Sequence, residues 1–226
     1  MPGDQGPTLH GTRRSRASRN LWLAEEAGFD LPLAMVWQAR RVDHPEAEGA
    51  PANTRSPAFL RLNPMGSIPV LTDGDLVLTE SLAINLHLAR TLGGDLGPRD
   101  EAENALMMQW TLLAATSMEA EALAIQGAYE RGEDAGEDGQ AGIVRHAGAL
   151  KRPFGVLEAW LATHPFLVGG RFTVADINVA EVVRYAQGHQ PLMAAHPALD
   201  AWLRAAQARP GFLRMWEARD AEPARA

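Results

Sequence analysis

The string Asn63-Pro64-Met65-Gly66-Ser67-Ile68-Pro69-Val70-Leu71, with Glu80-Ser81 nine residues further on, constrains this chain more than any other stretch. It reads as a tight turn, a short apolar strand broken by a proline, a hairpin at Asp73-Gly74-Asp75, a second strand and a helix start. Proline donates no backbone N–H, so Pro69 belongs at a strand edge or a bend. If the Ile68-Pro69 bond is cis, the backbone of Ile68 turns outward and an extended peptide could pair with it as an added strand. Glu80 and Ser81 then open a helix whose free N–H groups, together with the carboxylate, could hold both charges of an amino-acid head group. A peptide-binding edge beside an amino-acid clamp is the expectation.

Two halves separate along the chain. Thr8-Leu9-His10-Gly11 reads as a strand, and a helix follows from about Ser15 to Ala27, closed by Gly28. Leu33-Ala34-Met35-Val36-Trp37 is the next strand, and residues 40–55 form a long loop without periodicity. Ser56-Pro57 caps a short helix through Leu62, the strands Pro69–Leu71 and Leu76–Leu78 pair, and a helix covers 81–92. The order βαβαββα, with one long crossover, fits a thioredoxin-like α/β sheet. After the linker Gly93-Gly94-Asp95-Leu96-Gly97-Pro98 only helix signals remain. Asp100-x-x-Glu103 is a capping box opening a helix to about Tyr129, and residues 130–142 read as an acidic, glycine-rich loop. A second long helix, bent at Pro153, runs to Ala162. Thr173-x-x-Asp176 is another capping box with Asp176 as a structural cap, and short helices fill Pro197–Ala208 and Gly211–Arg219.

Asn63 to Ser81 closely resembles the glutathione-site half of the cytosolic glutathione transferase family. Phe166-Leu167-Val168-Gly169-Gly170-Arg171-Phe172-Thr173-Val174-Ala175-Asp176-Ile177 resembles that family's buried helix start. His196-Pro197-Ala198-Leu199 with Trp202, and Arg209-Pro210-Gly211-Phe212, resemble its closing helices. The resemblance runs from Thr8 to about Trp216 and points to a serine-type, bacterial-like member. It implies a thioredoxin-like glutathione-binding domain over residues 1–92, a linker over 93–99 and an all-helical domain over 100–226 that contributes an apolar co-substrate pocket. Met107, Trp110, Thr111, Met118 and Leu123 are the candidate lining of that pocket. It further implies glutathione as co-substrate, bound by Ser67, Ile68, Pro69, Glu80 and Ser81, a small hydrophobic electrophile as second substrate, and a homodimer.

Composition narrows the chemistry. The chain has no cysteine, which removes disulfides, thiolate metal sites and any cysteine nucleophile. No apolar run approaches the ~20 residues that cross a bilayer. The start Met1-Pro2-Gly3-Asp4 lacks a basic-then-apolar leader, so a cytoplasmic location is expected. The net charge of −7 falls mostly on residues 100–226, while Arg13, Arg14, Arg16 and Arg19 crowd one short segment. An acidic remainder without a recognition motif argues against nucleic acid, and the arginine segment suits a solvated helix start or a field that draws in a small anion. No histidine pair has metal-ligand spacing, and no glycine-rich phosphate loop is present, so neither a metal nor a nucleotide is expected. His10, in the first strand, reads as a packed or edge histidine.

A free thiol with a pKa of about 8.5 is only a few per cent ionised at neutral pH, so conjugation needs groups that favour the thiolate. In the family a Tyr, Ser or Cys just after the first strand does this. The only tyrosines here, Tyr129 and Tyr185, lie far down the chain, which leaves serine. Ser15 matches the serine of members reading S-R-x-x-R and is the candidate catalytic residue; as a helix-start residue it equally suits an N-cap. Ser18 is the alternative. Gapless alignment with plant-type serine enzymes puts Arg14 in the serine column, and Arg14 or Arg16 could assist electrostatically. Ser67 stands where many relatives carry a long polar residue for the peptide's terminal carboxylate, so Arg40, Arg41, Asn53 or Arg55 are candidates for that task. A glutathione-dependent isomerase or dehalogenase, and a non-catalytic binding protein on the same fold, are the competing readings.

Overall fold

Residues 6–226 are described by the structure, a computed structural model; the Met1–Asp4 start considered above lies outside them. Leu9, Val70 and Leu71 have no solvent exposure, and they join the strands β1 (Thr8–Gly11), β2 (Leu33–Met35), β3 (Val70–Asp73) and β4 (Leu76–Thr79) in one sheet. The strand order is β2-β1-β3-β4, with β2 parallel to β1 and the other two pairs antiparallel. A parallel pair needs a crossover, which α1 (Ala17–Ala27) supplies. With α2 (Pro57–Leu62) and α3 (Ser81–Thr91) the expected βαβαββα order is complete. The β3–β4 hairpin turns at Gly74, whose φ of +57° is open to glycine without penalty.

The helix α1 starts at Ala17 rather than Ser15. Ser15 lies in the turn before it, because its hydroxyl bonds locally to the backbone and holds a turn in place of a helical cap.

The helical part comprises α4 (Glu101–Ser117), α5 (Glu119–Glu130), α6 (Glu137–Leu161), α7 (Val174–Val183), α8 (Gln190–Ala194) and α9 (Pro197–Gln207). The single helix expected to reach Tyr129 is two, broken at Met118, whose φ of −132° leaves the helical range. The acidic stretch 130–142 is mostly helix as well: α6 begins at Glu137, where Glu137 and Asp138 face the positive end of the helix dipole. Pro153 lies inside α6 as expected, and the five-residue α8 carried no recognised signal.

The chain divides into two compact units, residues 1–94 with 210–226, and residues 95–209. The last helix, α10 (Pro210–Ala221), therefore returns to the first unit instead of closing the helical one. Its Phe212 meets Trp22 of α1 edge-on with ring centroids 4.9 Å apart, and Arg214 pairs with Glu25 at 2.8 Å. Gly211 makes the approach possible, since a Cβ there would lie 2.8 Å from the Glu26 backbone nitrogen.

Candidate active site

Three segments of the first unit end at the same edge of the sheet. Val70 pairs with Thr79 and His10 with Val70, so one step beyond these ladders lie Pro69 and Glu80 on one side and Gly11 on the other. The Ile68–Pro69 peptide bond is cis. The Ile68 side chain packs against Val36, Phe59 and Val70. Gly11 is pressed close: a Cβ would meet Ala17 Cβ at 3.3 Å and Ile68 Cβ at 3.6 Å. The turn after β1, the cis-proline segment and the start of α3 are thus neighbours.

The turn that leads into Pro69 is built by Asn63. Its Oδ1 accepts from Met65 N–H at 3.1 Å, and its Nδ2 donates to the Ser67 carbonyl at 2.7 Å and the Ser67 hydroxyl at 3.1 Å. Such side-chain bonds two and four residues on are how an asparagine fixes a turn. Gly66, with φ +60°, accommodates the bend. Ser67 itself is exposed.

Glu80 precedes α3 with φ +66° and ψ +107°, a conformation that a non-glycine residue holds at a cost of about 1–3 kcal/mol. Its side chain is exposed and makes no cap bond. Behind it Ser81 is buried, and its hydroxyl accepts from Arg19 Nη1 at 3.0 Å. Asn20 Nδ2 donates to the Ser81 carbonyl at 2.8 Å and to Asn85 Oδ1 at 2.7 Å, and Asn85 Nδ2 donates to the Arg19 carbonyl at 3.2 Å. Arg19 and Asn20, both buried, thereby clamp α1 to the start of α3. Sequence reasoning grouped Arg19 with the arginines of a solvated helix start or an anion-drawing field, and missed Asn20 and Asn85. A buried guanidinium costs heavily unless bonded, so its position in the helix interior, four residues after Ser15, was the available signal.

Ser15 is half-buried in the turn between β1 and α1. Its hydroxyl donates to the Thr12 carbonyl at 2.7 Å and accepts from Ala17 N–H at 3.1 Å. Ser18 is fully buried within α1. Thr12 is also fully buried, and its Oγ1 has no hydrogen-bond partner in the protein. Arg14 is turned to the C-terminal segment, with Nε donating to the Arg219 carbonyl at 3.1 Å. Burial pushes the His10 pKa down, and its Nε2 lies 3.1 Å from Thr72 Oγ1 at the opposite end of β3, in keeping with a packed histidine.

The four loop candidates for a distant carboxylate sort themselves. Asn53 is buried and committed to the carbonyls of Pro45 and Pro51, which organises the loop. Arg41 donates to the carbonyls of Ala224, at 2.6 Å, and Pro223, at 3.0 Å, and lies over the Trp37 ring. Arg40 and Arg55 are exposed, Arg40 beside Gln38 and Arg55 beside Glu46. In the helical unit, Trp110 packs on Trp160 and Thr111 accepts from Asn178 at 3.1 Å, so these two belong to its core rather than to a lining. Met107 and Met118 are likewise buried and Leu123 is partly so. Among the described residues no group of three His, Asp or Glu side chains is arranged to hold a metal, and no helix is long and apolar enough to cross a membrane.

Comparison with known proteins agrees with this architecture. Residues 6–90 match the glutathione S-transferase N-terminal domain and residues 104–210 the glutathione S-transferase C-terminal domain. Glutathione S-transferase 3 of Zea mays is 37% identical over 166 residues, which cover 70% of this chain and 74% of that protein. The crystal structure of a theta class glutathione S-transferase from Xanthomonas axonopodis pv. citri with glutathione bound aligns over 92% of this chain and 96% of its own, at 29% identity and a TM-score of 0.73. That of a glutathione S-transferase III in its apo form aligns over 97% and 99%, at 31% identity and a TM-score of 0.75. The chain belongs to the glutathione S-transferase family, with its thioredoxin-like domain followed by an all-helical one.

Proposed function

We propose that this protein is a glutathione transferase that joins the glutathione thiolate to a small apolar electrophile. The observation that carries the reading is the meeting of the cis-proline edge and the strained Glu80–Ser81 helix start, one register step past Val70 and Thr79. Glutathione, the co-substrate, lays its backbone along Ile68 as an added strand, with Ser67 and Pro69 flanking it. Its γ-glutamyl head sits at α3, where the Glu80 carboxylate pairs with the ammonium and the Ser81 end of the helix receives the carboxylate. Arg40 or Arg55 is left for the terminal carboxylate.

The sulfur then lies against the turn after β1. Ser15 turns its O–H from the Thr12 carbonyl to the sulfur, and with the positive end of α1 it favours S⁻ over SH. The thiol proton leaves to solvent, the sulfur bonds to the electrophilic carbon, and the leaving group departs with the electron pair. On the helical unit, α4 carries Leu106, Met108 and Leu112 exposed, apolar surface of the kind such an electrophile takes. We further propose that residues 1–92 bind glutathione, that residues 93–99 link them to the helical part, that the enzyme works in the cytoplasm and that it forms a homodimer.

One observation favours a binding protein without turnover: the Ser15 hydroxyl is already engaged with Thr12. Retention on immobilised glutathione followed by conjugation of chlorodinitrobenzene separates the readings. Retention with turnover supports the transferase, retention without turnover on a panel of electrophiles supports the binder, and absence of retention overturns both.

A further inference from the structure

The side chain of Glu222, just past the end of α10, is bound to the turn that presents Ser15. Its Oε2 accepts from Arg13 N–H at 2.6 Å and its Oε1 from Arg14 N–H at 3.1 Å. The residue is only 8% exposed, so this carboxylate is taken out of water for the sake of two backbone donors more than two hundred residues away in sequence. The rest of the segment is fastened too. Arg41 holds the Pro223 and Ala224 carbonyls and reaches the Arg14 carbonyl at 3.4 Å, and Ala226 N–H donates to the Arg41 carbonyl at 3.1 Å. Around the clasp stand the charges of Arg14 and Asp220, 3.9 Å apart, of Arg219, 3.6 Å from Asp220, and of Arg41, whose pKa burial pushes down while Glu222 opposes the fall.

The consequence runs through one peptide group. The N–H of Arg13 and the C=O of Thr12 belong to the same planar trans unit and point in opposite directions. Fixing that N–H on Glu222 therefore fixes the Thr12 carbonyl, and the Thr12 carbonyl is the group to which Ser15 Oγ is bonded. With the Arg13 and Arg14 N–H groups both held by Glu222, the backbone that carries Ser15 Oγ is fixed, and it stays fixed when the Ser15 O–H turns from the Thr12 carbonyl to the sulfur. We infer that Glu222 is a positioning residue for thiolate stabilisation, acting through the Thr12–Arg13 peptide group on the position of Ser15 Oγ. This rests on the assignment of Ser15 made above.

A double-mutant cycle on the full chain tests it, read by chlorodinitrobenzene turnover and by the pH at which bound glutathione gains thiolate ultraviolet absorbance. Glu222→Ala frees the peptide group, and turnover should fall about three- to tenfold with the thiolate appearing at higher pH, the loss expected when one charge-assisted bond is mispositioned. Glu222→Gln keeps an acceptor oxygen without the charge and should lie close to the parent. In a Ser15→Ala background, Glu222→Ala should cause no further change, because both act on one hydroxyl. If Ser15→Ala impairs turnover while Glu222→Ala does not, or if the two losses multiply, the positioning role is overturned and the serine assignment stands. If Ser15→Ala changes neither readout, the serine assignment itself fails. Loss in Glu222→Ala that moves turnover and melting temperature together, without moving the thiolate titration, marks a purely structural clasp and also overturns the inference.

Discussion

Among the helices that carry a carboxylate near their N-terminus, α7 and α3 put it to opposite use. At the start of α7, Asp176 has no solvent exposure and accepts four hydrogen bonds: Leu167 N–H and Trp202 Nε1–H on Oδ1, Thr173 N–H and Thr173 Oγ1–H on Oδ2. Nothing is left over for a ligand. Burial pushes its pKa up to about 6 even though the four donors oppose the rise. At the start of α3, Glu80 is exposed, makes no cap bond and sits on a left-handed backbone. A carboxylate that is saturated and buried holds a fold; one that is open and held under strain is ready for a partner.

The sharpest way to break this contrast is to remove each carboxylate. Asp176→Ala strands buried donors of Leu167, Thr173 and Trp202, and should destabilise the protein by about 3–5 kcal/mol in urea unfolding. A loss below about 1 kcal/mol would mean that water satisfies those donors and that the saturation is not structural. Glu80→Ala should leave urea stability within about 0.5 kcal/mol. Glutathione affinity by calorimetry should drop by about 1.5–3 kcal/mol, the range for a hydrogen bond to a charged group. Undiminished affinity there would remove the clamp from the proposal.

Ser15→Ala sharpens the catalytic side. Turnover at neutral pH should fall on the order of 10- to 100-fold, with the pH–rate profile rising later and glutathione affinity nearly unchanged. A profile superimposable on the parent would leave Ser15 as a turn-former only. The smallest expected effect concerns the helical unit. Arg171, bonded to both oxygens of Glu103 at 2.7 and 2.8 Å, holds that carboxyl down at about 2 against an ordinary 4.5. A depressed carboxylate stabilises the fold above its unfolded pKa and loses that contribution as pH falls, so the pair should weaken between about 4.5 and 2. Asp176 acts with the other sign, since its raised value costs stability as pH climbs from 3.8 toward about 6. Glu103→Gln should flatten the first slope and leave the second; equal acid sensitivity in that variant would assign the slope elsewhere.

Legibility in the sequence followed the range of the interactions. The cis-proline edge, the α3 start and the Thr173–Asp176 box depend on residues within a few positions of each other, so proline, glycine and cap chemistry announced them. The break at Met118 carries no glycine or proline, and α8 is too short to develop a period. Arg19 looked like one more cation in a basic helix start, because its partner Ser81 lies 62 residues away. Glu222 was invisible for the same reason at greater distance: a lone acid near a polar end says nothing until the turn it grips is in place.

The return of α10 to the first unit has a consequence for how the protein is made. Residues 1–94 leave the ribosome early, yet Trp22 lacks Phe212 and the turn after β1 lacks Glu222 until the whole helical unit has emerged. During synthesis the nascent first unit waits with Trp22 of α1 lacking the Phe212 ring. A message cut short before codon 210 yields a polypeptide whose sheet is fully encoded but whose first helix has no lid.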